Sequence, residues 1–167
     1  MSGYNESKFP EEDIRALEKE CEKINTELMK LGEEAREAFN DNSDEPDDDI
    51  YRDEYRDEVV IPIEGIMEKY GYEPCDASDI LGGGDPDGYW DYGQTLTYRK
   101  VIKGMVVYVD VYTVVHGIGS FTDKVSISLF RLYSYDYDDQ DRPVIHFARR
   151  LTENGWEDCT EELKEEL

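Results

Sequence analysis

The residues of this chain best suited to chemistry are carboxylates and aromatics, since it has 42 Asp and Glu and 13 Tyr but only two His and three Cys. The loop Asp85-Pro-Asp-Gly88 invites a calcium reading. An EF-hand frame with Gly88 at its sixth position would put Gly83 first and Gln94 twelfth, where Asp and Glu are needed as ligands. A site of another kind from Asp85, Asp87 and Asp91 stays open beside the simpler reading, a turn rich in Gly, Pro and Asp. The run Gly82-Gly-Gly84 lacks the following Lys-Ser/Thr of a phosphate loop. His116 and His146 belong to no metal-spacing motif, and no catalytic partner is in evidence for either. Among so many acids, close pairs arise by chance, so paired carboxylates single out no acid–base site. The expectation is a non-enzyme with no metal and no cofactor.

More informative are aromatics interleaved with acids, Tyr133-Ser-Tyr-Asp-Tyr-Asp-Asp139 and Tyr89-Trp-Asp-Tyr92. Aromatics anchor protein contacts, acids steer them, and both suit arginine. The same pattern would also arise if the tyrosines simply lined a second sheet face. From Asp41 to Glu58 there are ten acids in 18 residues, with Arg52 and Arg56 the only bases. Within this tract Tyr51-Arg-Asp-Glu54 repeats as Tyr55-Arg-Asp-Glu58, a period that would stack like residues if helical.

The formal charge is −24. Self-repulsion on this scale opposes compaction, so solubility or binding must offset it. Nucleic acid and anionic membranes are disfavoured as direct partners, being negative themselves, and a basic protein surface is favoured. Salt adaptation is the plain alternative, but Lys is not scarce and Glu slightly exceeds Asp, 22 to 20. Carboxylates on neighbouring helical turns sit about 5–6 Å apart, close to the phosphate spacing of a nucleic-acid strand. In charge balance and size, the chain resembles the nucleic-acid-mimicking inhibitors that phages use against restriction or CRISPR effectors. The expected partner is thus a basic nuclease or defence effector. Asp47, Asp48, Asp49, Asp53, Glu54, Asp57 and Glu58 would meet it, together with Tyr135, Asp136, Asp138 and Asp139. An immunity or antitoxin protein against a basic toxin is the alternative.

These residues need elements to hold them. Ile14, Leu17, Cys21, Ile24, Leu28, Leu31, Ala35 and Ala38 are spaced 3, 4, 3, 4, 3, 4, 3, an a/d seam that predicts one helix from Pro10 to Asn40. Pro10 suits the first turn, and Glu11, Glu12 and Asp13 complement the helix dipole. Glu11–Arg15, Lys23–Glu27 and Lys30–Glu34 are expected i,i+4 pairs, and Gly32 reads as a weak point. The seam must be covered by the chain's own sheet or helix, or by a second copy in a homodimer.

Pro62 predicts the start of a short helix through Ile63, Ile66, Met67 and Tyr70, stopped by Gly71. Glu73 to Asp91 reads as loop. Strands follow at Thr95–Ile102, at Met105–His116 and from Val125 to about Tyr135, with a fourth, short one at Val144–Ala148. Trp156, Cys159, Leu163 and Leu167 predict one side of a closing helix. The fold class is α+β: a long N-terminal heptad-patterned helix, a three- to four-stranded antiparallel sheet and a C-terminal helix. In domain terms the N-terminal helix occupies 1–40, an acidic linker or short helix 41–58, and an α+β domain 59–167. Scattered cysteines without a C-x-x-C pair predict reduced thiols. With no signal peptide or spanning run, the expected place is the cytoplasm, the host's if a phage encodes the protein.

Overall fold

A computed structural model of the chain describes residues 9–42, 55–84, 88–118 and 121–167. Helix α1 (Glu11–Asn42) is followed by a π-helical turn (Arg56–Val60) that runs directly into α2 (Ile61–Lys69). Seven strands come next: β1 (Glu73–Ala77), β2 (Leu81–Gly84), β3 (Tyr89–Ile102), β4 (Met105–Ile118), β5 (Phe121–Tyr137), β6 (Pro143–Thr152) and β7 (Gly155–Asp158). Helix α3 (Thr160–Glu166) closes the chain. The sheet is antiparallel, in the order β1-β3-β4-β5-β6-β7, with β2 pairing beside β1 on the same edge of β3. The chain is therefore α+β as expected, but six strand positions replace the expected three or four.

The extra strands come from two places. β1 and β2 lie inside the stretch that reads as loop, where Pro74, the glycine run and the acids mask any period of two. β7 lies inside the predicted closing helix. Trp156 is a strand residue opposite Leu151 and packs with the main core, whereas Cys159 and Leu163 belong to a second cluster with Tyr133 and Ala148. Helical spacing puts these three side chains on one side, but the strand reversal places them in separate clusters. Helix α2 has Pro62 in its first turn as expected, but helical backbone precedes it. A helical turn is already under way at Tyr55, and the Ile61 N–H reaches back to the Arg56 carbonyl, a five-residue step. Such a π turn accommodates the proline just beyond it, which has no N–H to donate.

Helix α1 lies on the sheet, so the heptad seam is covered within the chain. Ile14, Leu17, Cys21, Ile24, Leu28 and Ala35 are buried in one core with Val107, Val109, Val111 and Val115 of β4 and Val125, Ile127 and Leu129 of β5. Pairing of two copies through this helix would have to use its outer, charged surface. The period of two holds along β4, where Tyr112 and His116 stay exposed on the opposite face. Along β5 it is reset: Asp110 faces Arg131 while Val111 faces Leu129, so Phe130 is an extra residue. This bulge puts Leu132 in the core and sends Arg131 and Tyr133 to the outer face.

A further device sets the position of α1. Strand β6 pairs with β5 only from Arg131 onward, leaving the N-terminal half of β5 without a strand on that side among the described residues. Helix α1 takes its place. The Leu129 N–H donates to Asn25 Oδ1 at 2.9 Å. Gly32 comes so near that a Cβ added there would sit 2.6 Å from the Val125 carbonyl oxygen. Covering a bare edge in this way prevents unwanted strand pairing. The β3–β4 hairpin closes through Lys103-Gly104, with φ of 52° and 81°, the two left-handed residues of a type I′ turn. Among the described residues, no helix is long and apolar enough to cross a membrane.

Candidate functional site

Many charged groups of α1, among them Glu12, Arg15, Lys19, Glu22, Lys23, Lys30 and Arg36, are exposed with no hydrogen-bond or ion-pair partner among the described residues, and two further sets of acids stand out. Those flanking the buried seam are used within the chain. Asp13 accepts from Lys103 Nζ at 2.7 Å, Glu20 pairs with Lys100, and Glu27 accepts from both Lys69 and the Tyr70 hydroxyl. Arg149 of β6 lies 3.7 Å from Glu11 and 4.0 Å from Glu18. Glu27 is held below the usual carboxylate range, chiefly through the Lys69 and Tyr70 hydrogen bonds. Burial raises Glu18 despite Arg149. The three expected i,i+4 pairs do not form: Glu11 and Glu27 turn to cations on other elements, and Lys30 and Glu34 both stay exposed. The second set sits on the outer face near the C-terminal end. Glu33, Glu34 and Glu37 are exposed and have no hydrogen-bond or ion-pair partner among the described residues. They lead in sequence into the acidic tract.

Most of that tract lies beyond view: Asp47, Asp48, Asp49, Asp53 and Glu54 are outside the described residues, as are Asp85 and Asp87 of the calcium reading. Asp57 is exposed in the π turn and receives Arg56 Nε at 3.4 Å, while Glu58 is half-buried. Beside them Tyr55 is buried, its hydroxyl 2.6 Å from Thr113 Oγ1 and 3.0 Å from Gln94 Oε1. Tyr135, Asp136, Asp138 and Asp139 are at the far end of the sheet. Thr113 stands six residues along β4 from Val107, the partner of Ser134, which is about 20 Å at 3.3 Å per residue. Of the expected contact residues that are described, Asp57 and Glu58 therefore lie on a different surface from Tyr135, Asp136, Asp138 and Asp139.

At the hairpin end, roles are uneven. Asp138 builds its own turn, accepting from the Gln140 and Arg142 backbone N–H groups at 2.8 and 3.0 Å and from Arg142 Nε at 2.9 Å. The Arg142 backbone bond leads in holding it below the usual range. Asp136 Oδ2 lies 3.2 Å from Nε2 of the buried His146. Asp139 is exposed, without a partner among the described residues. Tyr135 stacks on Tyr108 with centroids 5.1 Å apart, Tyr108 stacks on Tyr133 at 5.3 Å, and Tyr137 meets Tyr135 edge-on at 5.7 Å. Burial pushes the Tyr135 phenol up to about 12. Tyr137 is 57% exposed and ends this aromatic row beside the hairpin acids.

Sequence reasoning missed the group that organises this face. Asp110 is buried, and its Oδ1 accepts from Thr97 Oγ1 at 2.7 Å and the Tyr133 hydroxyl at 3.1 Å. Its Oδ2 takes Arg131 Nε and Nη2 at 3.0 and 2.8 Å. Arg131 also reaches Glu166 and stands over the Tyr133 ring, 4.8 Å from its centroid. Burial works against this guanidinium, yet the bonds to Glu166 and Asp110 raise its pKa. One signal was present: Asp110 is the only carboxylate in β4, and Arg131 the only base from Val125 to Tyr135. Helix α3 is tied down by this contact and by the two-pronged Arg150–Glu162 pair at 2.7 and 2.8 Å.

Among the described residues, no three His, Cys, Asp or Glu side chains gather as a metal site. Comparison with protein-family models, curated proteins and solved structures finds no match for this chain.

Proposed function

We propose that this protein is a non-enzymatic inhibitor that binds a basic, nucleic-acid-handling protein. The target is a nuclease or a defence effector of the CRISPR or restriction type, and the acidic surface takes the place of nucleic acid in its binding channel. The observation that carries this reading is the placement of unspent charge. The seam-flanking acids of α1 fasten the helix to the sheet, whereas Glu33, Glu34 and Glu37 stay exposed and unpaired among the described residues, outnumbering the neighbouring unpaired Lys30 and Arg36. They adjoin a tract in which ten of 18 residues are acids. Acids held in ion pairs contribute little to a partner's field, and unpaired rows of them attract it over roughly a Debye length, about 8 Å at physiological ionic strength.

The test is binding to nucleases with basic channels, measured across a salt series and in competition with an oligonucleotide. Affinity should fall steadily with salt, fall further on reversing Glu33, Glu34 and Glu37 to Lys, and be lost to the competitor. Binding insensitive to salt and unaffected by the oligonucleotide would refute the mimicry. The exposed Tyr137 at the end of the tyrosine row favours a second reading, an immunity or antitoxin protein with a shape-specific patch. There, Tyr137→Ala alone would remove most of the affinity while the triple charge reversal would remove little.

A further inference from the structure

Between the π turn with α2 and the β1 edge lies an open cleft of about 460 Å³. Its apolar lining includes Val60, Leu96, Tyr98 and Ile80, the last 42% exposed at its mouth. Glu64, in the first turn of α2, also lines it. Its side chain is half-buried, yet no hydrogen bond or ion pair reaches it from a described residue. The one other carboxylate among the described residues of the lining, Asp76, has its Oδ1 engaged by the Ala77 N–H at 2.9 Å and no other described partner. Arg56 is the one cation among the described residues of the lining, and it is engaged with Asp57. The cleft thus offers apolar walls, a buried phenol and a carboxylate short of a partner.

We propose that the cleft is the anchor point for an arginine of the basic partner, a step that rests on the function proposed above and names the partner's contact. The aliphatic stem would lie along Val60, Leu96 and Ile80, and the guanidinium would pair with Glu64, with Asp76 at the rim. Apolar walls with a carboxylate at the end match the two halves of a long cationic side chain. A planar, two-pronged head suits a carboxylate beside a ring better than a hydrated ammonium does. The same molecule already holds one guanidinium this way, Arg131 between the Asp110 carboxylate and the Tyr133 ring. A half-buried acid without a partner among the described residues gains most from such a contact, since part of its hydration is already gone.

The experiment is an amide-detected NMR titration of the full chain with N-acetylarginine amide, with the lysine and citrulline amides in parallel. Saturable shifts should gather at Val60, Glu64, Ala77, Ile80 and Leu96, stronger for arginine than for lysine and absent for uncharged citrulline. Glu64→Gln should weaken arginine binding about tenfold, equivalent to ~1.4 kcal/mol, with an unchanged thermal midpoint. Ala77→Lys, which sets a cation at the exposed mouth, should abolish the saturable shifts. Shifts that spread over the acidic surface without saturating, equal binding by Glu64→Gln, or equal binding of lysine and citrulline would each overturn the proposal. None of these results would bear on salt-sensitive binding of a whole basic protein, which is measured separately.

Discussion

Gly32→Ala should destabilise the protein, although helix propensity alone argues for the reverse. Replacing a helical glycine by alanine ordinarily adds about 1 kcal/mol of stability. At Gly32 the new Cβ would stand 2.6 Å from the Val125 carbonyl oxygen, and an ordinary contact begins at 3.4 Å, so about 0.8 Å of clearance is missing. The obstructing atom is strand backbone, which cannot swing aside as a side-chain tip can. If α1 withdraws by that amount, the Asn25–Leu129 bond stretches from 2.9 Å toward 3.7 Å, beyond hydrogen-bonding range. That loss is worth about 1 kcal/mol, and overpacking at such a site costs about 1–3 kcal/mol. Set against the propensity gain, the net loss should be about 1–3 kcal/mol. Gly65, exposed in α2 with nothing within 4 Å of an added Cβ, is the internal control. Gly65→Ala should gain about 0.5–1 kcal/mol. Urea unfolding of the two variants beside the parent decides the matter, the slope serving to check that compactness is unchanged. Equal or greater stability for Gly32→Ala would refute the close-approach account of how α1 is seated.

Other consequences follow from the outer face and the core. Asp110→Ala removes the partner of a largely buried guanidinium and should cost about 3–5 kcal/mol, with Asp110→Asn milder, as read by thermal melts. It should also raise amide exchange in α3, whose Glu166 shares Arg131 with Asp110. Burial first of all raises the pKa values of Cys21, Tyr72, Tyr98, Tyr133 and Tyr135. The native state therefore keeps protons that the unfolded chain releases from about pH 9 to 10. Stability should be intact below that window and decline steadily above it, to beyond about pH 11, in a series of unfolding curves. A flat profile from about pH 8 to 11 would contradict the burial of these groups. In thiol titration at about pH 8, the exposed Cys75 should react at once, and Cys21, pushed up to about 12, and Cys159 only on unfolding.

The legible parts are those written in local periods. The seam from Ile14 to Ala35 reads directly as a helix because each residue's neighbour on the face is three or four positions away. The strand at Met105–His116 is legible for the same reason, as short-range pattern. Where composition blurs the period, as in Glu73–Ala77 with its proline and acids, the strand vanishes from view. At Trp156 two periods fit equally well, and the helical one misleads. On the candidate site, Tyr135 to Asp139 can be picked out as a group, but not that Asp138 is committed to its own turn or Asp136 to His146.

By itself the sequence determined the excess of negative charge, the amphipathic faces of α1 and β4, and the α+β class, because each depends on residue types and on neighbours a few positions apart. Only the tertiary structure decided which acids are free. Asp13, Glu20 and Glu27 meet lysines 90, 80 and 42 residues away, while Glu33, Glu34 and Glu37 meet none among the described residues. It alone turned Gly32 from a weak point of a helix into the place where α1 rests on the bare edge of β5. Both outcomes depend on which segments come together across the fold, and the strength of a charge or the cost of a Cβ is set by what stands opposite it.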